Sequence, residues 1–99
     1  MLVTMLCAFA AGFFIGNGAP YYVAGSLGEA TNPSPFPNSP LVNVVVGWAG
    51  MLIGGLLGAY VWCARDPGRV AAVSAVAGVL AVGLIHARLW RANPWRKRD

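Results

Sequence analysis

Three long apolar runs alternate with two polar breaks along this chain, and that alternation sets the expected fold. From Met1 to Ile15 the only hydroxyl, amide or charged side chain is Thr4. From Leu41 to Ala64 there is no charged side chain. From Val70 to about Leu89 the run is rich in alanine, valine and glycine. A helix needs about 20 predominantly apolar residues to cross a bilayer. The pattern therefore predicts an all-α membrane protein, one domain over 1–99, with three transmembrane helices near 1–18, 41–64 and 69–90. The first run is short for a span, so its helix is expected to continue through Gly16 or further, to tilt little, or to sit beside a thinned bilayer.

The first break, 17–40, is rich in glycine, asparagine and proline. Pro33, Pro35, Pro37 and Pro40 fall within eight positions. An internal proline removes a backbone donor and clashes with the preceding turn, so this stretch is expected as an irregular loop. Irregular backbone must be solvated or covered by protein, which places it outside the hydrocarbon. Its first part, Tyr21 to Glu29, is expected along the interface with the tyrosines at headgroup depth. Two antiparallel helices need only a few connecting residues. A loop this long that contains Val23, Leu27 and Phe36 is expected to fold back over the helix ends, with Phe36 tucked against the bundle or the headgroups; a flexible solvated tether is the alternative. The second break, Arg65-Asp66-Pro67-Gly68-Arg69, reads as a tight turn.

Composition supports a membrane setting. The 99 residues are 58% hydrophobic and 10% charged, against about 25% charged in soluble domains. So small a soluble domain could not cover that much apolar surface, whereas a lipid bilayer does. The net charge of +4 changes meaning once it is located. Arg88, Arg91, Arg96, Lys97 and Arg98 lie at the end of the third run and in the tail 91–99; Arg65 and Arg69 are the other two bases. A basic tail behind an apolar helix marks a cytoplasmic flank, not a nucleic-acid interface. The charge bias predicts a cytoplasmic C-terminus, hence a cytoplasmic loop 17–40 and an N-terminus on the far side. No basic region precedes the first apolar run, so that segment reads as a retained span and not a signal peptide. Cys7 and Cys63 read as small hydrophobes.

Small residues recur at helical spacing. Gly12 and Gly16 are four apart, as are Gly50, Gly54 and Gly58, and so are Ser74 and Gly78. Such sets form flat strips on which helices approach closely, and packing then replaces the hydrophobic drive that lipid withholds. The ladder Gly50–Gly54–Gly58 is expected to pack, within one chain or between chains.

Candidate chemistry is sparse. His86 is the only histidine and reads as interfacial. Glu29 is the only acid before Asp66, and no serine has a base partner in sequence. No catalytic residue, cofactor or metal ligand is expected, and the runs carry no acid that would mark a proton path.

The loop and the helix after it carry one resemblance. Gly16-Asn17, Pro20-Tyr21-Tyr22, Gly25, Gly28-Glu29, Pro35-Phe36, Ser39-Pro40, Asn43 and Gly47-Trp48 resemble the pattern of a group of small bacterial integral membrane proteins. The match covers about residues 16–48, and Tyr21 stands where that pattern has histidine. The resemblance implies residence in a bacterial membrane and no known activity. Two functional classes follow. One is a non-catalytic structural, accessory or interaction component, as a homo-oligomer or within a larger membrane complex, with the loop as its recognition surface. The other is a small pore-former of the holin kind.

Overall fold

The computed structural model describes residues 1–65 and 68–90. It consists of three helices: α1 (Leu2–Ser26), α2 (Pro40–Ala64) and α3 (Gly68–Leu89). All three are long and apolar enough to cross a membrane. The described residues contain no strand. The large exposed side chains are almost all apolar: Leu56, Val73, Val76, Leu80 and Leu84 are each more than 60% exposed. Water would not tolerate such a surface, but lipid does.

The first helix is longer than expected. It ends at Ser26, so Asn17, Pro20, Tyr21, Tyr22 and Gly25 lie on α1 and not in the loop. Pro20 is accommodated because helix-breaking residues are tolerated in membrane spans whose neighbours re-satisfy the freed backbone. The signal that ends α1 is Gly28, whose φ is +84°. The amide of Glu29 donates to Ala24 O at 2.9 Å and that of Gly28 to Gly25 O at 3.0 Å. This pair of bonds is a Schellman cap, and it needs a left-handed residue where Gly28 sits. The irregular loop is thus 27–39. The second helix starts on a cap that the sequence spells out: Ser39 accepts from Val42 N, and Pro40 occupies the first turn. The Asp66–Pro67 part of the expected tight turn and the tail 91–99 lie outside the described residues.

α1 is the central helix, and α2 and α3 both pack on it. Its buried positions Thr4, Ala11, Gly18 and Gly25 are seven apart. On α2, Gly47, Gly54 and Val61 repeat the same interval. A seven-residue interval keeps one seam facing a neighbour that crosses at about 20°. Where Gly18 meets Gly47, a Cβ on Gly18 would lie 2.5 Å from Gly47 O. A Cβ on Gly25 would lie 2.5 Å from Pro40 O, and one on Gly54 2.7 Å from Ala11 O. These pairings run antiparallel. Toward α3 the pairings rise together: Gly12 abuts the Ala75 carbonyl, Gly16 faces Val79 and Val82, Asn17 meets His86 and Tyr21 meets Trp90, while Gly78 abuts the backbone of Phe9 and Phe13. α3 is therefore parallel to α1, as a three-span chain requires.

The expected small-residue strips are only partly the strips in use. Gly12, Gly16, Gly54 and Gly78 stand at close approaches. Gly50 faces Gly18 less tightly, with a Cβ meeting Gly18 Cα at 3.3 Å, and Ser74 is half-buried. At Gly58 a Cβ would meet only the Ala11 methyl, at 4.0 Å. Within the chain the ladder Gly50–Gly54–Gly58 does not pack as one strip: Gly47 and Gly54 face α1 at a seven-residue interval while Gly58 rotates toward the edge of that contact.

Candidate functional site

The most elaborate chemistry lies at the end of the bundle where α1 and α3 finish and α2 begins. Asn43, in the first turns of α2, is fully buried. Its Nδ2 donates to Glu29 O at 2.9 Å and to Thr31 O at 3.0 Å. Two carbonyls facing one end of the side chain require the amide nitrogen there, which fixes the flip. Its Oδ1 then accepts from Asn32 Nδ2 at 2.9 Å, and that nitrogen also reaches Pro37 O at 3.1 Å. Asn32 Oδ1 in turn accepts from the Ser34 hydroxyl, and Ser34 Oγ accepts from the Phe36 amide at 3.2 Å. Every donor and acceptor in this chain of contacts is assigned without conflict. The loop is thus wound around one asparagine from α2. A backbone rich in proline lacks donors of its own, and side-chain amides supply them.

Beneath the loop, α1 and α3 meet through polar and aromatic groups. His86 Nε2 lies 2.8 Å from Asn17 Oδ1. The Tyr21 ring packs 5.9 Å from His86 and 5.5 Å from Trp90, and its hydroxyl donates to Pro33 O at 3.4 Å. Tyr21, on α1, thus touches both the end of α3 and the loop. His86 is buried against Asn17, where the sequence suggested an interfacial side chain. Its Nδ1 and the indole Nε1 of Trp90 are buried without a hydrogen-bond partner among the described residues. An open groove of about 370 Å³ runs alongside, lined by Pro20, Val23, Ala24, Leu27, Glu29 and Trp90.

The loop-pattern residues now have places. Asn17, Gly25, Gly28, Ser39, Pro40 and Asn43 each make a cap, a close approach or a hydrogen bond described above. Pro20 lies within α1. Phe36 is 49% exposed, so of its two expected places it does not take the one buried against the bundle; Asn32, Pro33 and Ser34 are buried there instead. Trp48 is 57% exposed on the outer face of α2. Three contacts were not anticipated from the sequence: Gly18 with Gly47, Asn17 with His86, and a hydrogen bond from Arg65 to Thr4. The seven-residue intervals could have revealed the first. Nothing local in the sequence links residues 69 or 61 positions apart, as the other two pairs are.

At the opposite end, α2 and α1 enclose a second cavity of about 400 Å³, lined by Met1, Thr4, Ala64 and Arg65. Cys7 and Cys63 are free thiols. Among the described residues, no three His, Cys, Asp or Glu side chains gather as a metal site would require. Comparison with protein-family models, with curated proteins and with solved structures finds no match to this chain.

Proposed function

We propose that this multi-pass membrane protein is a non-catalytic structural, accessory or interaction component of a bacterial cytoplasmic membrane. The loop 27–39 is its recognition surface, and a homo-oligomer or a larger membrane complex is its setting. The observation that carries this reading is the buried Asn32–Asn43 network. A connection that only had to join two helices would need a few residues and no internal architecture. This one is longer, ordered by side chains on α2, and exposes Phe36 at its tip. Ordered loops on rigid scaffolds are where recognition residues concentrate.

The orientation that goes with this reading places the loop and the basic tail in the cytoplasm. Parallel α1 and α3 end on the same side, where Arg88 lies and after which the sequence carries four more bases. Arg65 and Arg69 lie on the other side, so the positive-inside bias favours a cytoplasmic loop.

The test is purification from native membranes in mild detergent. The wild-type chain is expected in an assembly larger than one copy, and Asn43→Asp, which disorders the loop, is expected to leave that assembly. Recovery of both proteins as single copies would overturn the reading. The alternative is a holin-like pore-former. What favours it is that Gly55 and Gly83 face open space, where copies could pack closely. Abrupt loss of membrane potential on expression in a host would select the pore; stable potential with accumulating protein would select the component.

A further inference from the structure

Arg65 closes α2 at the end of the bundle away from the loop, immediately after the last residue of a 25-residue span. That position sets its guanidinium at headgroup depth. An arginine there usually snorkels and samples many rotamers. This one is held. Its Nε donates to Thr4 Oγ1 at 2.6 Å, and its Nη1 donates to the Tyr60 hydroxyl at 3.2 Å. The guanidinium carbon lies 6.0 Å from the centroid of the Tyr60 ring. Thr4 is only 4% exposed and belongs to the seam of α1, so the first anchor is part of the packed bundle. A guanidinium has five N–H donors. Two are occupied, and the remaining three meet no acceptor among the described residues. Arg65 also forms one wall of the cavity of about 400 Å³.

We propose that Arg65 binds the phosphate of a phospholipid in the leaflet at this end of the bundle. The fork geometry of a guanidinium matches two phosphate oxygens, and charge-assisted hydrogen bonds of this kind are the strong ones. Thr4 and Tyr60 turn the fork in advance, so little side-chain freedom is lost on binding. The source is a lipid and not free phosphate because Arg65 directly follows a 25-residue apolar span whose last turns expose Tyr60 and Trp62 on the outer face. Arg69 carries the same charge in the first turn of α3 but does not line the cavity, which makes it an internal control. Asp66, next in sequence, carries the opposite charge.

The experiment is a titration of the full-length chain in detergent with phosphatidylglycerol, read by native mass spectrometry. Diacylglycerol serves as the ligand without a phosphate, and inorganic phosphate as the competitor. Arg65→Gln is expected to weaken phosphatidylglycerol retention about tenfold or more. Arg65→Lys keeps the charge without the fork and is expected to fall between the two. Thr4→Val, which keeps the arginine and removes its anchor, is expected to weaken retention about threefold on the same reasoning. Arg69→Gln is expected to bind as wild type, Asp66→Asn at least as tightly, and diacylglycerol not to be retained. Equal losses for Arg65→Gln and Arg69→Gln would show diffuse attraction and overturn the site. Displacement of the lipid by millimolar inorganic phosphate would overturn the lipid assignment.

Discussion

Asn43→Leu is the sharpest probe of the loop, because leucine keeps the volume and removes every polar contact. Asn43 makes three hydrogen bonds, at 2.9, 2.9 and 3.0 Å, from a fully buried position. At about 1 kcal/mol net per bond, their loss costs about 3 kcal/mol. Two effects adjust that figure in opposite directions. Asn32 Nδ2 retains Pro37 O as a second acceptor, and residues 29 and 31 are exposed enough for water to reach their carbonyls, which lowers the cost. The buried Asn32 side chain, 1% exposed, has no such access once its partner is gone, which raises it. The expected destabilisation is therefore about 2–4 kcal/mol, with the damage local to residues 27–39. Chemical denaturation in mild detergent measures the energy, and limited proteolysis locates it. Cleavage within 27–39 should become rapid while the helices stay protected. A variant within about 0.5 kcal/mol of wild type, with its loop still resistant, would refute the reasoning that Asn43 organises the loop.

Further outcomes follow from the helix contacts. Gly18→Ala and Gly47→Ala should each cost about 1–3 kcal/mol in the same denaturation assay, since the added methyl meets backbone of the facing helix with no room to retreat. Gly55→Ala and Gly83→Ala, which meet nothing within 4 Å, should be neutral or slightly stabilising in the monomer; losses equal to those at Gly18 would refute the assigned faces. A double-mutant cycle on Asn17→Ala and His86→Ala should give a coupling of about 0.6–1.7 kcal/mol, the range for interhelical hydrogen bonds in membranes, and strict additivity would deny the contact.

The sequence made some of this legible and hid the rest for identifiable reasons. Three spans were visible because a run without charge from Leu41 to Ala64 has no stable home in water. The end of α1 was misplaced because Asn17, Gly18 and Pro20 are breakers by the standards of soluble helices, and a membrane span tolerates them. The true stop at Gly28 and the start at Ser39-Pro40 were written in capping residues, which were readable as such. A glycine spacing of four holds for Gly12 and Gly16 against α3, but the α1–α2 seam uses seven, so a reading in fours reaches Gly54 and misses Gly18 and Gly47. Hydrophobicity alone calls for cover over Phe36, from the bundle or from headgroups. A loop with few backbone donors closes instead on amide side chains, and Asn32 takes the interior. Many residues of the loop pattern have an architectural reason, while Tyr22, Phe36 and Trp48 are the aromatic ones it leaves substantially exposed.

The most direct measurement of the central claim is site-specific photocrosslinking in native membranes, with the crosslinker placed at Phe36 in one sample and at Leu56 in another. Leu56 is 63% exposed on the lipid-facing side of α2, so it reports what the bilayer alone delivers. A recognition loop predicts one discrete protein adduct from position 36, lost when Asn43→Leu is added, and lipid adducts without that species from position 56. The same protein adducts from both positions, or an adduct at 36 indifferent to Asn43→Leu, would contradict the account.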